Sequence, residues 1–134
     1  MAAAVTAFEE LLIDNLRLLG PDHADTFTTR GHLARWRGEA GDPERAAAET
    51  ERLVADLIRT LGPLHPHTMT TRSNLATWLG KAGNPTSAVS LLKQLVADRT
   101  RALGANHPET QATRRKLTFW RREQFEQTAR DDRL

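Results

Sequence analysis

Histidine is the residue type best suited to metal or acid–base chemistry here, because three histidines of this 134-residue chain recur at a fixed interval. His23, His65 and His107 are 42 residues apart, and His67 lies two residues after His65. A shared zinc ion would need ring nitrogens within about 2.0–2.1 Å of the metal. Equivalent residues of successive repeats lie at least one helix spacing apart, about 8–10 Å. The interval therefore argues against a metal site and predicts that each histidine caps the helix that follows it.

Aspartates form a second periodic set, and paired carboxylates can act as general acid and base. Each of them is followed three residues later by an arginine, which is typical of ion pairs on a helix surface. The sequence contains no cysteine, no glycine-rich phosphate loop and no Ser–His–Asp set. We therefore expect no enzymatic activity, no metal and no cofactor. The periodic pairs are Asp14 with Arg17, Asp56 with Arg59, and Asp98 with Arg101.

A basic segment near the C-terminus suggests a different chemistry. In nucleic-acid-binding proteins, cations contact phosphates and aromatic rings stack on bases. On a helix these side chains would be scattered around the axis, and the formal net charge of the chain is only +2 although its pI is about 9.7. Nucleic-acid binding through this helix is therefore the alternative to the function favoured below. The segment contains Arg114, Arg115, Lys116, Phe119, Trp120, Arg121 and Arg122.

The histidines belong to a longer sequence motif, or phrase, that occurs three times. It covers residues 19–26, 61–68 and 103–110, and each copy begins with Leu and ends with Thr. The only three tryptophans, Trp36, Trp78 and Trp120, also share one repeat position, beside leucines that predict core packing. A constant period near 40 residues is typical of stacked repeats, in which each unit buries its apolar face against its neighbours.

Turn residues divide this period into two helices. Gly41-Asp42-Pro43 and Gly83-Asn84-Pro85 combine a helix-ending glycine, a capping Asp or Asn and a helix-starting proline. We call the helix after each histidine A and the helix after each of these turns B. The pattern predicts an all-α, αα-hairpin superhelical solenoid in the order B-A-B-A-B-A, with antiparallel neighbours. The six predicted helices cover about residues 3–19, 24–40, 43–61, 66–82, 85–103 and 108–130.

These elements predict a single domain over residues 1–134. It comprises a half repeat, two full repeats, and a terminal half repeat with a cap. No apolar run approaches the roughly 20 residues that span a bilayer, and the start of the chain lacks the basic region of a signal peptide. We therefore expect a cytoplasmic protein with no membrane contact. The four parts are residues 1–19, 20–61, 62–103 and 104–134.

The repeat resembles a known family. Leu75-Ala76, Gly83 and Ala88 have the spacing of the tetratricopeptide repeat (TPR), and the period is that of its kinesin-light-chain-like type. The phrase from Leu103 to Thr110 and the Asn74-Leu75-Ala76 run are similar to that type as well. The resemblance implies a non-catalytic scaffold for protein–protein interaction. Such arrays are common in actinobacterial proteins, which fits a composition in which sixteen of nineteen basic residues are arginine.

The resemblance also implies a concave groove, lined by the A helices, that holds an extended or helical peptide of unknown identity. Asn74 is the strongest single candidate, because a carboxamide can donate to and accept from a peptide backbone. Arg35, Arg115 and Lys116 would favour an acidic ligand. The expected groove residues are His32, Arg35, Glu39, Ser73, Asn74, Thr77, Lys81, Arg115, Lys116 and Phe119.

The two ends of the array give a further expectation. The first helix has no A helix on its outer side, and the last has no B helix, so apolar side chains there are expected to be only partly covered. Exposed apolar patches mark association sites. We therefore expect either self-association through the ends, for example as a homodimer, or contact with the rest of a longer chain. The residues concerned are Phe8, Leu12, Leu117, Trp120 and Phe125.

Overall fold

A computed structural model describes all residues 1–134 as six α-helices and no strand. The predicted order and fold class are confirmed, and the helix ends differ from the predicted ones by no more than two residues. The A helices are α2, α4 and α6, and the B helices are α1, α3 and α5. Their bounds are α1 Ala2–Leu18, α2 Ala24–Glu39, α3 Pro43–Leu61, α4 Pro66–Lys81, α5 Pro85–Leu103 and α6 Pro108–Asp132.

Each A helix begins at a histidine cap, as predicted. The Nδ1 atoms of His23, His65 and His107 each accept a hydrogen bond from the backbone N–H two residues later, at 3.1 Å. The bond satisfies one of the donors that a helix N-terminus leaves free. The recurrence of histidine at these three positions is therefore explained by local backbone structure.

The B helices that follow a turn begin with an Asx cap and a proline. Asp42 Oδ1 accepts from the N–H of Arg45 at 3.1 Å, and Asn84 Oδ1 accepts from the N–H of Ser87 at 3.2 Å. Gly41 and Gly83, which precede them, have φ values of 102° and 92°, where a Cβ atom would be strained. These short turns bring consecutive helices together as antiparallel hairpins.

The hydrophobic core consists of separate clusters that follow one another along the array, and it has no single centre. Phe27 of α2 packs on Leu53 and Leu57 of α3, whereas Trp78 of α4 packs on Ala46 and Ala47 of α3. A third cluster joins α4, α5 and α6. Each helix thus contacts chiefly its sequence neighbours, as in other repeat proteins. The third cluster consists of Ala76, Ala88, Val89, Leu92, Leu117 and Trp120.

Close contacts between A helices explain the periodic tryptophans. The ring of Trp78 lies against Gly38 of the preceding A helix, and the ring of Trp120 lies against Gly80 in the same way. A side chain at either glycine would overlap the indole. Both tryptophans are buried, as the sequence predicted, whereas Trp36, which has no A helix before it, is only half-buried.

Cross-helix ion pairs add a contact that the sequence analysis did not predict. Arg30 Nη1 of α2 donates to Asp56 of α3, and Arg72 Nη2 of α4 donates to Asp98 of α5, both at 2.7 Å. The predicted pairs within the B helices also form, since Arg17, Arg59 and Arg101 lie 3.4, 3.5 and 2.6 Å from their aspartates. The aspartates therefore join A and B helices, a role that fits their periodic recurrence.

Candidate binding groove

A groove of about 370 Å³ separates α2 from α4 on the A-helix side of the array, and Thr50 and Leu53 of α3 lie between the two helices. Most of its lining is polar, with Leu53 and Trp78 as the hydrophobic exceptions. Six of the ten residues expected from the sequence are brought together here. They are His32, Arg35 and Glu39 of α2, and Asn74, Thr77 and Lys81 of α4.

Asn74 is exposed in this groove, and no side-chain hydrogen bond ties its carboxamide to the rest of the chain. Thr77, one turn later, directs its hydroxyl to the carbonyl of Ser73 at 3.3 Å. The amide of Asn74 is therefore free to donate and accept simultaneously. This is the chemistry needed to bind the backbone of an extended peptide.

The charged lining is mixed, with a small excess of cations. Arg35 and Lys81 bring positive charge from the two helices, and Glu39 is the one carboxylate among the lining residues. Lys81 Nζ lies 5.0 Å from the centre of the Trp78 ring, a distance compatible with a cation–π contact. His67 also lines the groove, and its pKa is lowered by burial and by the neighbouring His65. The groove thus favours a neutral or acidic ligand.

Ser73 and Lys116 form hydrogen bonds with each other and do not line this groove. Ser73 is buried, and Lys116 Nζ reaches across from α6 to bond its hydroxyl at 2.7 Å and its carbonyl at 3.2 Å. No carboxylate lies within ion-pairing distance of Lys116. Its pKa is lowered, chiefly by burial and further by Arg99 and Lys81. The lysine holds α6 against α4 and retains an incompletely compensated charge.

The remaining two predicted groove residues, Arg115 and Phe119, are exposed on α6 and lie outside the α2–α4 groove. The other basic residues of α6 do not converge with them. Arg114 donates to the carbonyl of Ala105 at 3.2 Å, and Lys116 is held by Ser73. No observation in the structure favours the nucleic-acid alternative.

Sequence reasoning missed groove residues in the N-terminal half of α2 and α4. Thr28, His67 and Thr70 line the groove one turn before the residues that were predicted. The signal was available, because a step of three or four residues back along the same helix face leads from His32 to Thr28 and from Asn74 to Thr70. Thr50 and Leu53 could not be found in this way, since they come from a B helix.

The end residues divide into two classes. Phe8 and Leu12 are half-buried and Phe125 is 75% exposed, whereas Leu117 and Trp120 are only 7% and 8% exposed. The expectation that these last two would be half covered was wrong. Helices α4 and α5 enclose them without any further helix, because Gly80 leaves space for the indole.

No group of three His, Asp or Glu side chains is placed to hold a metal ion. None of the six helices has the length and apolarity required to cross a membrane.

Part of this chain matches a known protein family. Residues 68–109, which run from the first turn of α4 to the start of α6, match the family profile described as tetratricopeptide repeat. These residues carry a tetratricopeptide repeat, and the same 42-residue period continues on both sides of them; we call the six-helix stack the TPR array. The TPR array therefore has the fold of a class of scaffold that in general mediates protein–protein interaction without catalysis.

Two solved structures of a Podospora anserina protein show the same architecture. That protein is assigned as a kinesin light chain with nearly identical TPR-like repeats, and one of the structures is a variant of it. The TPR array superposes on them with TM-scores of 0.82 and 0.81, at 27% identity over 89% of its own length. It spans 56% of the length of those chains. No curated protein sequence matched.

Proposed function

We propose that this TPR array binds an extended peptide segment of a partner protein in the groove between α2 and α4. The supporting observation is the free carboxamide of Asn74, exposed in the groove with unpaired cationic groups on both sides. A helix-lined groove with unsatisfied polar groups is suited to a ligand that supplies its own backbone donors and acceptors.

The ligand proposed is a segment of neutral or acidic character. Arg35 and Lys81 can each pair with a carboxylate, while Glu39 disfavours a run of several acidic residues at that end of the groove. His32 and His67 supply further hydrogen-bonding groups. Backbone recognition by Asn74 would contribute affinity, and the charges would contribute specificity and association rate.

A peptide-display selection tests this proposal. Random peptides enriched on the wild-type protein would be resynthesised with a fluorophore, and their dissociation constants would be measured by anisotropy. We expect Asn74→Ala and Lys81→Glu each to weaken binding about tenfold, the usual effect of removing an energetically important contact.

Two matched variants serve as controls. Asn106→Ala removes an exposed carboxamide from a turn, and Lys93→Glu reverses an exposed lysine on α5, both outside the groove. Both should bind the selected peptides as the wild type does. Equal affinity for all four variants, or no enriched peptide at all, would overturn the proposal. Binding of single-stranded nucleic acid that falls steeply with salt and ignores Asn74 would favour the alternative function instead.

A further inference from the structure

The flank of α1 that faces away from α2 carries a stripe of four residues, Ala7, Leu11, Asp14 and Leu18, at helical spacing. The equivalent flank of α3 packs on α2. Leu53 and Leu95, which are the repeat equivalents of Leu11, are each 1% exposed, whereas Leu11 is 45% exposed. The difference measures the coverage that an adjacent A helix provides. The α1 stripe is therefore a B-helix surface without its A helix.

Helix α6 carries the reciprocal surface, a stripe of Gln111, Arg114, Thr118 and Arg121. All four side chains are exposed. On α2 the same repeat positions face α3, and on α4 they face α5. The α6 stripe is therefore an A-helix surface without its B helix.

Charge makes the two stripes complementary. Inside the chain, Arg72 donates through Nη1 to the carbonyl of Pro63 at 3.1 Å and through Nη2 to Asp98 at 2.7 Å. Arg114 makes the first of these bonds, to Ala105 at 3.2 Å, but has no carboxylate for the second. Asp14, the repeat equivalent of Asp98, has only the exposed Arg17 beside it at 3.4 Å. The guanidinium is already oriented, and the matching carboxylate is at the opposite end of the molecule.

A second pair of repeat positions also differs between the interior of the array and its ends. Phe27 packs on Leu57 within the chain. The repeat equivalent of Phe27 on the α6 stripe is Gln111, and that of Leu57 on α1 is Asn15. Both ends therefore replace an apolar residue by a carboxamide. Asn15, however, is 8% exposed and its Oδ1 accepts from the hydroxyl of Thr29 in α2 at 3.4 Å, so only Gln111 is exposed for a contact between copies.

We propose that a second copy of this chain binds head to tail, with the α6 stripe of one copy on the α1 stripe of the next and an Arg114–Asp14 ion pair across the junction. The contact continues the packing between hairpins that is already present inside the chain. Such a contact uses different surfaces on the two copies, so it produces an open chain or a closed ring. The proposal concerns the ends of the array and does not depend on the groove.

Arg122 limits the strength of this junction. It occupies the repeat position of Gly38 and Gly80, which receive the tryptophan of the following A helix. Trp36 of the incoming copy would meet the Arg122 side chain in place of a glycine. The junction is therefore wider and weaker than the internal ones, and association is expected at high protein concentration only.

Charge reversal tests the register. Sedimentation velocity from about 10 μM to about 1 mM should show a mass that rises with concentration for the wild type. Asp14→Arg and Arg114→Asp should each weaken association at least about tenfold, because like charges would then face each other. A mixture of the two variants should associate again, since each junction then contains one cation and one carboxylate. Glu51→Arg and Arg52→Asp, two exposed changes on α3, should leave association unchanged.

A gain of association provides the second test. Arg122→Gly should strengthen association about tenfold or more by restoring the notch for Trp36. Arg130→Gly, an exposed change of the same type on α6 beyond the stripe, serves as the control for the lost charge and helix propensity. A monomeric mass for both the wild type and Arg122→Gly at the highest concentration, or a mixture of charge variants no larger than its components, would overturn the proposal. Neither result would affect peptide binding in the groove.

Discussion

The indole of Trp78 occupies the space that a side chain at Gly38 would need, and Trp120 has the same relationship to Gly80. Two A helices can approach this closely because one of them has no Cβ atom at the contact. The spacing between successive A helices, and with it the width of the groove between them, therefore depends on one glycine in each repeat.

Adding a methyl group at this contact should destabilise the protein. We expect Gly38→Ala and Gly80→Ala each to lower the free energy of unfolding by about 1–3 kcal/mol, as is usual for overpacking. Gly31→Ala is the matched control on α2, since Leu53 Cδ2 is its nearest neighbour at 3.8 Å. That change should raise stability by about 0.5–1 kcal/mol through helix propensity. Urea denaturation distinguishes the two effects. Equal changes in the free energy of unfolding for Gly38→Ala and Gly31→Ala would refute the packing argument.

Asp98 and Asp56 share a repeat position but differ in burial, and the cost of removing them should differ accordingly. The side chain of Asp98 is 8% exposed and pairs with Arg72, while that of Asp56 is 37% exposed. Asp98→Ala should cost about 3 kcal/mol, because it leaves the largely buried Arg72 guanidinium without a carboxylate partner. Asp56→Ala should cost about 1 kcal/mol or less. Equal costs in chemical denaturation would contradict a role for burial.

The contribution of Asp98 should also depend on pH. Burial, the largest effect, would raise its pKa, but the hydrogen bonds from Arg72 and Arg101 outweigh it and lower the pKa below the ordinary value of 3.8. A carboxylate with a lowered pKa stabilises the fold above its unfolded pKa and loses that contribution as the pH falls through the folded pKa. The difference in unfolding free energy between the wild type and Asp98→Ala should therefore shrink below about pH 4. A constant difference down to about pH 2 would contradict this assignment.

Lys116 should have the opposite pH dependence. Burial, followed by Arg99 and Lys81, lowers the pKa of its ammonium below 10.5, so folding is penalised while the lysine is charged. The unfolded chain holds this proton to higher pH, and stability therefore rises between the folded pKa and 10.5. Relative to Lys116→Met, the wild type should gain free energy of unfolding as the pH rises from about 7 to about 10.5. A free-energy difference that stays constant over this range would contradict a buried charge at Lys116.

The histidine caps offer a simpler test of local structure. His65→Ala should lower the free energy of unfolding by about 1 kcal/mol, because the N–H of His67 loses its acceptor. His65→Asn supplies an oxygen at the same position and should retain most of that stability. If both variants were as stable as the wild type, the bond from His67 would contribute nothing measurable.

Much of this fold could be predicted from the sequence because the signals that define it are local. Gly41-Asp42-Pro43 and the histidine phrases set the helix ends within a few residues of themselves, so the 42-residue period determined the six helices. The groove-facing residues of α2 and α4 were predicted from the resemblance to the tetratricopeptide repeat, which assigns those positions on each A helix.

Contacts between distant residues could not be predicted in this way. Arg30 and Asp56 are 26 residues apart, and their pairing depends on how two helices pack. The burial of Ser73 beneath Lys116 depends on the position of α6, which lies 43 residues further along the chain. The same limit explains the error at Trp120, whose coverage was judged from a missing helix and not from the notch at Gly80.

The packing of each tryptophan against the glycine of the preceding A helix has a consequence for how the protein could be lengthened. Inserting a second copy of residues 41–82 would preserve this tryptophan–glycine contact, along with the arginine–aspartate pair, at every new boundary. Each inserted period would extend the ligand-facing wall by one more A helix, about 8–10 Å. Lengthening by whole 42-residue periods would therefore leave the existing contacts between helices unchanged. An insertion of any other length would disrupt the alignment of all subsequent contacts.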